Sequence, residues 1–331
     1  MKKILNQILA GKNLSQNEAY IVMNEIMSGK FNDVQIAGFL IALRSKGETV
    51  EEITGLAEAM RNKMIKVSLD CNAIDMCGTG GDSSGTFNIS TAASFVAAGA
   101  GVHVAKHGNR SMTSKSGSAD VLQALGIPIN KTIEESAKDI EEIGLGFMFA
   151  PSYHPAMKYA SGARVDLAIR TVFNILGPLC NPADVKAQAM GIFSPNYTEV
   201  QAKVLKELGS SDVMIFCGRD GLDEITTTST TKITQMQNYG EIQTEEFDAS
   251  ELGFKKTSMI HLKGGSPSDN AIIIKSVLSG EKGPQRDIVL INAAAGIVVG
   301  GYAKNLKDAL LLAIESIDSG NALNILNQLV S

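Results

Sequence analysis

Over the first seventy residues, apolar positions recur at helical spacing and no strand-like run interrupts them. Ile21, Val22 and Ile26 form one such set, Ile36, Phe39, Leu40 and Leu43 a second, and Ile53, Leu56 and Met60 a third. Ser15-Gln-Asn-Glu18 and Thr49-Val-Glu-Glu52 have the capping-box form, in which a hydroxyl and a carboxylate satisfy the free N–H groups at a helix start. Gly29 and Gly47 fall where helices should stop. The pattern predicts a small all-helical domain over residues 1–70, able to recruit helices near 165–185.

From residue 71 the period changes. Short apolar runs at 73–77, 102–105, 147–150, 189–193 and 213–217 read as buried strands. Between them, 89–100 reads as a small-residue helix that can pack closely, and 119–125 and 198–208 as further helices. Thr132-Ile-Glu-Glu135 caps another. Strands separated by helices favour a mostly parallel α/β sheet with ligand loops at the strand carboxyl ends. Residues 226–262, rich in Thr and Gln, suggest a β excursion, and the stretch after Asp269 returns to helices, with Leu306, Leu310, Ile314 and Ile317 spaced for one face. The fold class expected is α/β: the small helical domain, then a larger α/β domain over 71–331 with a mostly parallel central sheet and C-terminal helices.

Composition narrows the setting. A chain of 331 residues with 44% hydrophobic and 20% charged residues has ample material for a buried core. Its formal net charge of −5 offers nothing to nucleic acid or to an acidic membrane, so any anion site must be a local cluster. The four cysteines make no CxxC pair and no zinc-like spacing with the four histidines, which fits reduced buried thiols in a cytoplasm. The N-terminal Met1-Lys-Lys-Ile-Leu-Asn is broken by polar residues before it could serve as a signal peptide, and the apolar stretch at 288–299 is too short to span a bilayer.

Two glycine-marked loops joined by one helix carry the chemistry. The first, Gly78-Thr-Gly-Gly-Asp82, follows an apolar strand and is neither a Walker loop nor a GxGxxG fingerprint. Alone it is compatible with a tight turn. Asn88-Ile-Ser-Thr91 then opens a helix, whose free N–H groups and dipole favour a phosphate, although Ser and Thr also serve as plain N-caps there. The second loop, Lys106-His-Gly-Asn-Arg-Ser-Met-Thr-Ser114, supplies two cations, a glycine for close backbone approach and several hydroxyls. The combination suits a ligand with several phosphate groups. Ser118 is expected to cap the next helix. The adjacent acids Asp223 and Glu224 suit Mg²⁺ completed by substrate oxygens and water, or a solvated surface. Arg164 and Arg170 are candidate partners for a carboxylate, or surface ion-pair formers. His107 and His154 fit either a polar pocket or ordinary loops, and no nucleophilic triad is visible.

GTGGD, NIST, KHGNRSMTSKSGSADVLQALG, ARVDLAIRTVFNILGPLCNP and DGLDEI, in this order and spacing, resemble the anthranilate phosphoribosyltransferase family across nearly the whole chain. The two-domain architecture is shared with pyrimidine nucleoside phosphorylases. The resemblance implies transfer of the phosphoribosyl group from 5-phosphoribosyl 1-pyrophosphate to anthranilate, in tryptophan biosynthesis. It implies that Gly78, Gly81, Asp82, Thr86, Asn88, Ile89, Ser90 and Thr91 line the phosphoribosyl pyrophosphate site. Lys106, His107, Gly108, Asn109, Arg110, Ser111, Met112, Thr113, Ser114 and Ser118 would complete it. Gly78, Asn109 and Arg164 would contact anthranilate, with His107 and His154 nearby. Ser90, Asp223 and Glu224 would hold two Mg²⁺ ions per subunit. No proton-transfer residue is implied; Lys106, Arg110 and the metal ions would stabilise the transition state. A homodimer through the helical domain is implied, with no nucleic-acid or membrane partner.

Two other readings compete with this one. A nucleoside phosphorylase of the same architecture would need no Mg²⁺ site for pyrophosphate, so the acid pair speaks against it. A non-catalytic relative that binds nucleic acid is opposed by the net charge and by the lack of an aromatic-basic run.

Overall fold

The computed structural model describes residues 1–81, 84–111 and 115–331. Four helices open the chain: α1 (Lys2–Leu9), α2 (Gln16–Ile26), α3 (Asp33–Lys46) and α4 (Val50–Lys63). Both expected capping boxes form, with Glu18 N–H donating to Ser15 Oγ and Glu52 N–H to Thr49 Oγ1. A third, Asn32 with Gln35, starts α3. Gly47 ends α3 with φ +89°, in the left-handed region that favours glycine.

The remainder alternates as expected: β1 (Ala73–Gly78), α5 (Ile89–Gly99), β2 (His103–Gly108), α6 (Ser118–Leu125), α7 (Ile133–Lys138), β3 (Leu145–Phe149), then three helices in close succession, α8 (Ala150–Tyr153), α9 (Lys158–Leu167) and α10 (Phe173–Leu176). They are followed by β4 (Ala187–Gly191), α11 (Thr198–Glu207) and β5 (Asp212–Gly218). Residues 226–262 contain the β excursion, β6 (Thr230–Met236) and β7 (Gln243–Asp248). The chain closes with α12 (Pro267–Leu278), α13 (Pro284–Val299), α14 (Leu306–Asp318) and α15 (Asn321–Val330).

The strands form one seven-stranded sheet in the order β3-β2-β1-β4-β5-β6-β7. The first five are parallel, and β6 and β7 are added antiparallel. The winding direction reverses between β1 and β4, so the crevice beyond their carboxyl ends is the switch point at which such sheets bind ligands.

Side chains alternate between the two faces of the sheet, as a pleated strand requires. Ile74, Met76, Val104, Met214 and Phe216 face α5 and the C-terminal helices. Cys77, Met190, Val213, Ile215 and Cys217 face a core shared by the N-terminal helices, α11, and Ala160, Ala163, Phe173 and Leu176 of α9 and α10. Helix α5 packs closely, as its small residues predict: a Cβ on Gly99 would stand 2.4 Å from Ser316 Oγ and 2.6 Å from Ala322 N. Helix α13 is almost wholly buried. Among the described residues no single helix is long and apolar enough to cross a membrane.

Candidate active site

The first glycine loop leaves β1 at the switch point. Thr79 N–H donates to the Gly191 carbonyl at 3.0 Å, and Phe193 N–H donates to Thr79 Oγ1 at 3.1 Å. Gly80 and Gly81 adopt φ of +64° and +75°, which explains the paired glycines. Gly80 N–H donates to Asp223 Oδ2 at 2.8 Å, and Arg170 donates through Nη2 to the Gly81 carbonyl. Gly78 lies close under the same acid: a Cβ there would stand 2.8 Å from Asp223 Oδ2.

The acid loop reaches this point because other residues suspend it. Asn292 of α13 accepts from Ile225 N–H at 2.9 Å and donates to the Ile225 carbonyl at 2.9 Å, a two-way clasp on the loop backbone. Glu224, 8% exposed, accepts from Ser90 N–H at 3.1 Å in the first turn of α5. A carboxylate there is favoured by the dipole and by the free N–H groups of the helix start. The two neighbouring acids therefore grip different elements, Asp223 the glycine loop and Glu224 the start of α5. Among the described residues no cluster of three or more His, Cys, Asp or Glu could hold a metal, so the acid pair would need oxygen ligands from elsewhere to complete a coordination shell.

The start of α5 is anchored by side chains rather than capped. Asn88 donates to the Ser116 carbonyl at 3.1 Å, and its Oδ1 accepts from Ser116 Oγ and from Asn270 Nδ2 of α12. Thr86 bridges to Lys263, Phe87 N–H donates to the Leu262 carbonyl, and Lys263 donates to the Ser84 carbonyl. Thr91 lies inside α5 and is buried, while Ile89 sits in the core.

In the second loop Lys106 is 3% exposed and donates to the Met76 carbonyl at 2.5 Å. Burial pulls its pKa down, opposed by the buried Asp75 carboxylate. Lys106 and Thr91 line one small cavity behind the loop. Arg110 pairs with Asp120 of α6 at 2.7 Å and also reaches Gln123. Asp120 in addition accepts from Ser111 N–H and Gly117 N–H; burial alone would raise its pKa, but these donors and Arg110 outweigh burial and hold it below the ordinary value. Ser118 differs from expectation: Gly117 occupies the cap position, and Ser118 Oγ donates instead to the Asn109 carbonyl at 3.3 Å. That bond packs Ser118 against Gly108, where a Cβ would stand 2.2 Å from its Oγ. Asp82, Met112, Thr113 and Ser114 lie outside the described residues.

His107 and His154 come together, ring centroids 5.0 Å apart. Each has a buried Nε2 with no hydrogen-bond partner. Burial pushes His107 down to about 3 and His154 down to about 4, so both are neutral imidazoles at pH 7. Asp75 is fully buried, accepting from the His107 backbone N–H at 3.3 Å, and burial raises its pKa to about 6. Arg164 of α9 lies 5.1 Å from the centroid of the Phe173 ring, and burial lowers its pKa.

Several residues that hold this site carry no usable signal in the sequence: Asn270, Lys263 and Asp120. Asn292 is detectable in principle, since a lone amide within an apolar helix must find buried partners.

Comparison with known proteins agrees on one family. The glycosyl transferase family, helical bundle domain, matches residues 2–64, and the glycosyl transferase family, a/b domain, matches residues 70–323. The anthranilate phosphoribosyltransferase of Acetivibrio thermocellus is 49% identical over 331 residues, covering 100% of this chain and 96% of that protein. The crystal structure of anthranilate phosphoribosyltransferase from Thermus thermophilus is 39% identical with a TM-score of 0.92, covering 99% of this chain and 98% of that one. The Saccharomyces cerevisiae enzyme of the same name, in complex with PRPP and Mg, is 30% identical with a TM-score of 0.89, covering 99% and 96%.

Proposed function

The chain belongs to the anthranilate phosphoribosyltransferase family, and from that premise we propose how its residues divide the work. The reaction transfers the phosphoribosyl group of 5-phosphoribosyl 1-pyrophosphate to anthranilate, within tryptophan biosynthesis. The anthranilate amine forms a bond to the ribose anomeric carbon, the carbon–oxygen bond to pyrophosphate breaks, and the amine releases a proton.

The phosphoribosyl pyrophosphate site is formed by Gly78, Gly81, Asp82, Thr86, residues 88–91, residues 106–114 and Ser118. The observation that carries this reading is the grip of adjacent acids on two elements: Asp223 on Gly80 N–H and Glu224 on Ser90 N–H. Hard carboxylate oxygens beside anion-suited N–H groups fit a small divalent cation that shares its shell with substrate phosphates. Ser90, Asp223 and Glu224 are the residues that would hold magnesium, as two ions per subunit; a yeast relative is solved with PRPP and Mg. When bound, the metal offsets the charge that collects on departing pyrophosphate.

Arg110 and Lys106 add positive charge where that anion leaves. Arg164, Asn109 and Gly78 orient anthranilate, Arg164 through the substrate carboxylate. The neutral pair His107 and His154 adds no positive charge beside the reacting amine. An arylamine is already nucleophilic at neutral pH, so orientation supplies much of the rate and no protein base is required.

The helical domain, residues 1–70 with helices recruited from 165–185, carries the interface of a homodimer; exposed Leu9, Ile21, Val34 and Ile41 support this. Four free cysteines fit a reducing cytoplasm.

The test is the pair of substitutions Asp223→Asn and Glu224→Gln, followed by the fluorescence decrease as anthranilate is consumed across a Mg²⁺ titration. Turnover should fall and the Mg²⁺ midpoint should rise. Full activity with an unaltered titration would remove the assignment.

A further inference from the structure

Arg170 follows α9 and, by residue type alone, is a partner for a carboxylate. Its surroundings give it different work. Its Nη2 donates to the Gly81 carbonyl, and its guanidinium carbon lies 4.5 Å from the centroid of the Phe193 ring. Its Nε lies 3.5 Å from where a Cβ on Gly81 would stand. Phe193 itself donates its N–H to Thr79 Oγ1 at 3.1 Å, so ring and backbone of one residue bear on the same loop. On the other side, Asp223 takes the Gly80 N–H at 2.8 Å. Consecutive residues are thus held by opposite charges, an N–H by an acid and a carbonyl by a cation. Each hold suits the backbone polarity it meets, and together they fix the Gly80 N–H and the Gly81 carbonyl, the two ends of a pair of left-handed glycines that would otherwise be free to turn.

We propose that Arg170 is a positioning residue for the phosphoribosyl pyrophosphate loop: stacked on Phe193, it pins the Gly81 carbonyl and so holds the Gly80–Gly81 turn in one shape at the phosphate site. A planar, five-donor guanidinium can stack and donate at once, which a lysine cannot do. The inference rests on the reading of that loop as the phosphoribosyl pyrophosphate site.

The full-length protein with Arg170→Ala, Arg170→Lys or Phe193→Leu tests it. The readouts are KM for each substrate at saturating Mg²⁺ and calorimetric Kd for phosphoribosyl pyrophosphate with Mg²⁺. Arg170→Ala should raise that Kd and KM by about tenfold, the order of one charge-assisted hydrogen bond, and leave anthranilate KM unchanged. Arg170→Lys should not restore it. Phe193→Leu should raise it too, and adding that change to Arg170→Ala should bring little further loss, because the pair acts as a unit.

A rise in anthranilate KM with phosphoribosyl pyrophosphate affinity intact would overturn the proposal, as would full rescue by lysine or multiplying effects in the double variant. If Arg170→Ala does not fold, Arg170→Lys and Phe193→Leu carry the same test. If Asp223→Asn and Glu224→Gln act on the Mg²⁺ titration while the Arg170 variants do nothing, this inference alone fails. If the acid variants also do nothing, the reading of the site fails with it.

Discussion

Replacing Gly191 by alanine should displace both acids at once. An added Cβ would stand 1.6 Å from the Asp223 carbonyl oxygen and 2.6 Å from its carbon, both of them backbone atoms with no flexible end to swing aside. Ordinary contact begins at 3.4 Å, so strand or loop must give way by about 1.8 Å, the difference from 1.6 Å. The strand cannot easily yield, since Gly191 pairs with Gly78 on one side and Phe216 on the other. The acid loop is therefore the part that moves, straining the Asn292 clasp and the bonds to Gly80 and Ser90. Overpacking and weakened buried hydrogen bonds together should cost about 2–5 kcal/mol of stability. A displacement of more than about 1 Å at a catalytic group is expected to lower kcat/KM by roughly 100-fold or more. The assay is the initial rate of anthranilate loss across a Mg²⁺ titration, with urea unfolding on the same samples. Gly38→Ala is the control: its Cβ meets nothing within 4 Å, and it should be neutral or stabilising by about 0.5–1 kcal/mol. A folded Gly191→Ala protein with unaltered kcat/KM and Mg²⁺ midpoint would refute the reasoning.

Asn292→Leu keeps the branched shape but strips Ile225 N–H and C=O of their partner, and should cost about 2–4 kcal/mol in urea unfolding along with Mg²⁺-dependent turnover. Lys46→Met should destabilise by about 3–5 kcal/mol, because the fully buried Glu52 carboxylate loses its 2.8 Å ammonium partner; equilibrium unfolding checks it. His107 and His154 are held at about 3 and about 4, below the ordinary 6.5. Between the folded and ordinary values the unfolded chain binds protons that the folded chain refuses. Their contribution is therefore intact above pH 6.5 and is lost as pH falls below it, by up to roughly 1.4 kcal/mol per histidine for each pH unit. Asp75, raised to about 6, slopes the other way, its contribution lost as pH rises. Unfolding free energies at pH 5 and pH 7 for the wild type and for His107→Gln with His154→Gln separate the two: the variant should lose less on acidification, and equal losses would refute the assignment.

The helical start is legible in the sequence because a capping box is local chemistry: Ser15 with Glu18 and Thr49 with Glu52 behave as their spacing predicts. Asn32 with Gln35 uses the same geometry in amide form, outside the hydroxyl–carboxylate pattern that marks the other two. Strand–helix alternation is readable, but the order β3-β2-β1-β4-β5 is not, since pairing partners are set by distant packing. Helices α8 and α10, each a single turn near prolines, show too little periodicity to be read individually. At the site, residue types announce the glycine loops and the acids. What suspends them is hidden, because Asn292 contacts Ile225 across 67 positions and Asn270 contacts Asn88 across 182. Arg170 carries a related lesson: guanidinium chemistry suits a substrate carboxylate and a backbone carbonyl equally well, and only position separates them.

Asp223 and Glu224 place negative charge on the Gly80 and Ser90 N–H groups, the same donors that an incoming phosphate would use. A bare anion approaching this crevice meets two carboxylates that already occupy its seats, and Coulomb repulsion works against the exchange. For an anion that arrives with a divalent cation, those carboxylates would serve as ligands to the cation, leaving the N–H groups to the phosphate. On the proposed assignment one dipeptide would discriminate by charge, against bare inorganic phosphate and in favour of a diphosphate that carries a divalent cation.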